Sequence, residues 1–100
     1  MSANRIPILE GAPECIRARH IPGGLKANRE FAECVVSYDA GVPDEIRTLL
    51  FDPQTAGGLL IAVGAERSEA LTRALNQAGV PAAEIGEVIV STKPLINVLS

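Results

Sequence analysis

Leu49-Leu50-Phe51-Asp52-Pro53-Gln54-Thr55-Ala56-Gly57-Gly58-Leu59-Leu60-Ile61-Ala62-Val63 is the stretch that decides how this chain is read. It opens as the end of a helix, passes through a short polar loop and closes as an unbroken apolar run. Proline disfavours the α conformation ahead of it, so a helix reaching Leu50 is expected to stop there. The run 59–63 is bounded by Gly57-Gly58 on one side and Gly64 on the other. That length and punctuation predict an interior strand buried on both faces.

Downstream, Leu71, Ala74, Leu75 and Ala78 fall at i, i+3, i+4 and i+7, which predicts a helix over 66–78. Glu66 and Glu69 stand near its start, Gly79 is the expected stop and Pro81 follows. A strand over 84–90 would complete a β-α-β unit, with the right-handed crossover such units adopt. Pro94 breaks the run, and 95–99 is expected to return as a last edge strand.

Upstream, Pro43 suits the opening of a helix, with Asp44 and Glu45 where the macrodipole favours negative charge. Ile46, Leu49 and Leu50 would form its buried stripe. Earlier still, Ile6-Pro7-Ile8-Leu9 carries an internal proline, which confines it to an edge strand or an extended lead-in. Pro13 fits the first turn of a helix carrying Cys15, Ile16 and Arg19. Pro22-Gly23-Gly24 reads as a turn with two positions free to take positive φ. Asn28 is expected to cap a helix over 29–35, in competition with a strand over 31–37. The expected architecture is one domain over 1–100 of the α/β (α+β) class, a small mixed sheet with helices packed on it.

Composition narrows the possible functions. Leu, Ile, Val and Phe make up 29 of the 100 residues, too many for a disordered chain. With glycine counted and tyrosine left out, 55 residues are apolar, above the usual ~45–50%. A small domain should be more polar than average, so the excess implies a face made to bury against something else. The formal net charge is −3, and the nine basic residues are scattered rather than striped. Only three aromatics accompany them, which argues against nucleic-acid binding. No apolar run approaches the roughly 20 residues of a membrane span, nor does the start resemble a signal peptide, so the cytoplasm is the expected location. Cys15 and Cys34 have no partners at metal-ligand spacing and read as small, half-buried hydrophobes rather than zinc ligands.

The chemistry-bearing residues gather in the loop. Asp52, Gln54, Thr55, Gly57 and Gly58 bring a carboxylate, an amide, a hydroxyl and paired glycines into one short segment. Adjacent glycines can expose backbone N–H groups to an anion as a nest, Asp52 could hold Mg²⁺ and Thr55 could meet a phosphate oxygen. Orientation speaks against this. Phosphate loops lead into a helix N-terminus, whereas these glycines lead into a strand and follow a helix C-terminus, which repels anions. The competing account is a tight turn, with Asp52 initiating it and Pro53 fixing φ. His20 has no nucleophile or carboxylate at an informative distance, and no catalytic set can be assembled from the residues alone.

The same loop carries a resemblance. Residues 50–63 closely resemble the LFDPQTSGGLLIAV stretch of selenide, water dikinase (selenophosphate synthetase), with Ala56 standing where that family usually has serine. Residues 6–12 are similar to its VPVLPGA, with Glu10 in place of a proline. Pro22-Gly23-Gly24 followed by Asn28 is similar to its PGG…N, and 82–88 to its AxxIGEV. The resemblance covers nearly the whole chain. It implies the distal part of the C-terminal domain of a two-domain, dimeric α/β enzyme of the aminoimidazole ribonucleotide synthetase-like superfamily. Such an enzyme uses ATP and Mg²⁺ to convert selenide and water into selenophosphate, AMP and phosphate.

The family's catalytic cysteine or selenocysteine, its lysine, its metal-binding aspartates and its main ATP-binding residues belong to segments outside these hundred residues. The resemblance therefore implies no catalytic and no metal-ligating residue here. It leaves Asp52, Gln54, Thr55, Gly57 and Gly58 as the lining of an interdomain cleft. The expectation is a fragment inactive by itself, without tightly bound ATP or Mg²⁺, that meets the missing N-terminal domain or a second copy through its apolar face. The rival expectation is a non-catalytic interaction or nucleotide-binding module using the same loop.

Overall fold

A computed structural model describes residues 1–93 and 95–100. Among these residues the order is α1 (Ala12–Arg17), α2 (Gly23–Ala32), β1 (Val36–Tyr38), α3 (Asp44–Leu49), α4 (Ala65–Gln77) and β2 (Ile96–Val98). Single 3₁₀ turns lie at Ala3–Arg5 and Glu33–Val35. Strands β1 and β2 pair in parallel, Val36 opposite Ile96 and Tyr38 opposite Val98. The N-terminus extends this pair: Leu99 N–H donates to the Met1 carbonyl and Ala3 N–H to the Leu99 carbonyl, both at 2.8 Å. Mixed helix and strand, with a small parallel sheet, is the observed class.

Helices appear where local signals are complete. Helix α1 carries its proline in the first turn, and the chain leaves it through Arg19 at φ 62°. The His20 N–H donates to the Cys15 carbonyl and the Arg19 N–H to the Ile16 carbonyl, a Schellman closure. Arg19, expected inside the helix, therefore lies just beyond it. Helix α3 runs as expected from Pro43, with Asp44 and Glu45 in its first turn. Arg17 of α1 donates to Glu45 at 2.8 Å, tying the two helices. Helix α4 is the one predicted from its spacing. It closes with Gly79 at φ 76°, its N–H on the Asn76 carbonyl and the Val80 N–H on the Leu75 carbonyl.

The second helix departs from expectation. Pro22 is the N-cap of α2, and Gly23 and Gly24 form its first turn instead of a positive-φ turn. Proline in extended conformation leaves a helix start just as compatible with the glycines that follow. Asn28 is consequently mid-helix and not a cap. The competing readings of 29–37 each held in part, with helix to Ala32, a 3₁₀ turn and then β1. Residues 6–9 are irregular and do not form a strand. The expected break at Pro94 lies outside the described residues, while β2 occupies the predicted last strand.

The interior strand and its β-α-β unit do not form. Residues 59–63 and 84–90 carry no strand structure, and among the described residues 55–63 make no backbone–backbone hydrogen bond. Leu59 is 89% exposed and Val90 fully so. A helix closes its own hydrogen bonds, whereas a strand needs a neighbour to supply its partners. Among the described residues, 59–63 has no such partner, and 84–90 has a single backbone bond from outside, the Ser2 N–H on the Ile85 carbonyl at 2.7 Å.

The buried apolar side chains are Leu25, Val42, Phe51 and Val98. Arg47 braces this end of the molecule. Its Nε donates to the Val42 carbonyl at 2.9 Å, a terminal nitrogen donates to the Asp39 carbonyl at 3.1 Å, and the guanidinium lies 5.3 Å from the Tyr38 ring centre. The Tyr38 hydroxyl is buried without a hydrogen-bond partner among the described residues, and burial raises its pKa.

Candidate functional site

The loop 52–58 leaves the buried end of the molecule at Phe51, whose side chain is 8% exposed. Helix α3 tightens as it stops: Phe51 N–H donates to the Thr48 carbonyl and Asp52 N–H to the Leu49 carbonyl. Gln54 N–H then donates to the Asp52 carbonyl at 2.9 Å, closing a three-residue turn around Pro53. Proline's fixed φ near −65° suits the inverse form of that turn, so Pro53 reverses the chain as soon as the helix ends.

Two contacts hold this bend against α2. Asn28 Nδ2 donates to the Phe51 carbonyl at 3.0 Å. Gly24 lets Pro53 come so close that an added Cβ would lie 3.1 Å from the proline Cγ. The sequence reading missed both contacts, although the i, i+4 spacing of Gly24 and Asn28 was a signal that they share a helix face.

Beyond the bend the predicted site residues diverge in role. Asp52, Gln54, Thr55, Gly57 and Gly58 are all exposed. Gln54 folds back on the loop, its Oε1 about where a Cβ on Gly57 would approach to 3.0 Å. Neither Gly57 nor Gly58 takes a left-handed φ, so the nest of backbone N–H groups that paired glycines could form is absent, in line with the argument from orientation. The loop follows the C-terminal end of α3, where the helix dipole disfavours anions.

Among the described residues, no group of three or more His, Cys, Asp or Glu stands together to hold a metal ion. Cys15, Cys34 and His20 lie outside this loop and are exposed, so the two cysteines are not the half-buried residues expected. Two shallow grooves mark the surface: one of about 290 Å³ between α2 and Thr48, the other of about 380 Å³ beside Ile6, Ile8 and Ile46. Neither is lined by 52–58. Nearby electrostatics are structural. The Glu45 carboxyl sits below its ordinary range because its own backbone N–H and then Arg17 stabilise the anion, and Glu33 raises the pKa of Arg29.

The loop is exposed, bent at Pro53 and continuous with a largely exposed apolar run. The chain is 44% identical over 82 residues to the selenide, water dikinase of Carboxydothermus hydrogenoformans, covering 82% of this chain and 24% of that protein. It is 50% identical over 70 residues to that of Pelobacter propionicus, covering 69% and 20%. It is 38% identical over 99 residues to that of Myxococcus xanthus, covering 99% and 28%. The chain is homologous to a segment of selenide, water dikinase.

It spans about a quarter of the length of these curated relatives. No protein-family profile matches it. No helix among the described residues is long and apolar enough to cross a membrane.

Proposed function

We propose that the chain serves as the distal part of the C-terminal domain of a selenide, water dikinase, with the 52–58 loop lining an interdomain cleft. The observation that carries this reading is the loop's position. It is anchored at Phe51, exposed through Gly58, and continuous with an apolar run whose exposure goes from 89% at Leu59 to 41% at Val63. Residues 59–63 and 84–90 would become strands on either side of α4 once the rest of the aminoimidazole ribonucleotide synthetase-like domain supplies their backbone partners. The apolar face would then meet the N-terminal domain, or a second copy, in a cytoplasmic enzyme.

The reaction assigned to the assembled enzyme turns ATP, selenide and water into selenophosphate, AMP and phosphate. The residues present fit neither nucleotide nor metal by themselves. Asp52 is a lone carboxylate, the glycines form no nest, and the nearest helix end is the wrong one for phosphate. Asp52, Gln54, Thr55, Gly57 and Gly58 are therefore assigned to lining, and no catalytic step is given to them.

The test is selenide-dependent AMP release by the isolated chain. None is expected, and robust turnover would overturn the assignment of catalysis to residues elsewhere. An ATP titration with and without Mg²⁺ separates the rival reading. Micromolar binding by the chain alone would favour a nucleotide-binding module, while absence of binding with self-association supports an orphaned domain face.

A further inference from the structure

We infer that Gly24 and Asn28 form a notch on α2 that fixes the direction in which the 52–58 loop leaves the folded body, with Asn28 acting as a positioning residue. This rests on the reading of 52–58 as the working loop, but its test does not involve activity. The two residues are four apart in α2 and so lie on one face, one turn above the other. Gly24 receives Pro53, whose Cγ and Cβ would stand 3.1 and 3.3 Å from a Cβ at that position. One turn on, Asn28 Nδ2 donates to the Phe51 carbonyl at 3.0 Å.

The carbonyl of Phe51 follows the last turn of α3 and is the kind of group a helix end leaves without an intrahelical partner. Asn28 supplies that partner from another element. Because Phe51 and Pro53 flank Asp52, holding both fixes the peptide planes on either side of its Cα. The three-residue turn closed by Gln54 then transmits that direction to Thr55 and the glycines. Removing either contact should leave the turn free to open and to swing about Phe51.

Hydrogen exchange read by NMR on the 100-residue chain tests this, with protection at Asp52 and Gln54 compared with that at Asp39 and Leu99, whose amides bond within the paired-strand region. In Asn28→Ala, protection at Asp52 and Gln54 is expected to fall about fivefold, the worth of one neutral hydrogen bond, while Asp39 and Leu99 hold. Asn28→Asp should lose the same protection at neutral pH. It should regain it as pH falls through the ordinary carboxylate range near 4, because a protonated carboxyl again offers a donor to the Phe51 carbonyl. Wild type should show no such recovery once intrinsic exchange rates are divided out. Gly24→Ala should displace the resonances of 52–58 and leave those of β1 and β2 in place. Unchanged protection in Asn28→Ala, equal loss at all four amides, or an Asn28→Asp variant indifferent to pH would each overturn the proposal.

Discussion

Two parts of this chain obey different physics. Residues 1–51 and 95–100 contain the strand pair, the buried side chains and the Arg47 brace, and there Met1–Ala3, 36–39 and 96–99 bond one another through the backbone. Residues 52–93 hold a well-formed helix, α4, between extended segments whose apolar side chains face water. The second part is the more hydrophobic to read yet the less buried. Apolarity is a demand for cover, and it is met only when a partner surface is within reach. Helix α4 stands because its bonds are internal and its C-terminus is closed by Gly79. Its side-chain bonds to the rest of the chain run to the segment that follows it, Ser68 to Glu84 and Asn76 to the backbone of Ala82. That segment meets the first part through the Ser2 N–H on the Ile85 carbonyl and the Arg5–Glu84 ion pair.

The sharpest way to break this contrast is a pair of leucine truncations. Leu25 is 1% exposed and Leu60 80%. Leu25→Ala should cost about 2–5 kcal/mol in urea unfolding, whereas Leu60→Ala should stay within about 0.5 kcal/mol. A large loss at Leu60 would mean that the 59–63 run is covered in solution.

Gly79→Ala probes how independent the second part is. No atom crowds a Cβ there, so the cost is the left-handed backbone alone, about 1 kcal/mol. If the two parts are separate, exchange at the C-terminal amides of α4 should rise about fivefold, with β1 and β2 unaffected. A matching loss of protection in the strand pair would show that they unfold together.

The smallest expected effect lies between α1 and α3. The folded protein holds the Glu45 carboxyl below its unfolded pKa, so its contribution is present above the unfolded value and is lost as pH falls through the folded one. Arg17→Met should move the Glu45 titration only part of the way back, because the backbone N–H is the larger cause. A carbon-detected titration of that carboxyl measures the shift, and a complete return to the ordinary value would assign the effect to Arg17 instead.

How far the sequence could be read follows the same division. The i, i+3, i+4, i+7 spacing from Leu71 to Ala78 and the glycine after it specified α4, and Pro43 with its two acidic neighbours specified α3. Both are rules of a single segment. The kinship carried by 50–63 was equally plain.

Tertiary structure alone decided which apolar runs became strands. Leu59 to Val63 looks more strand-like than Val36 to Tyr38, but only the latter has a parallel partner, in 96–98. It also decided that Pro22-Gly23-Gly24 would begin a helix, and that Asn28 would hold the Phe51 carbonyl rather than cap its own helix. Local composition fixes what a segment can bond within itself. Bonds between segments depend on which neighbours arrive, and a sequence read one stretch at a time does not contain that information.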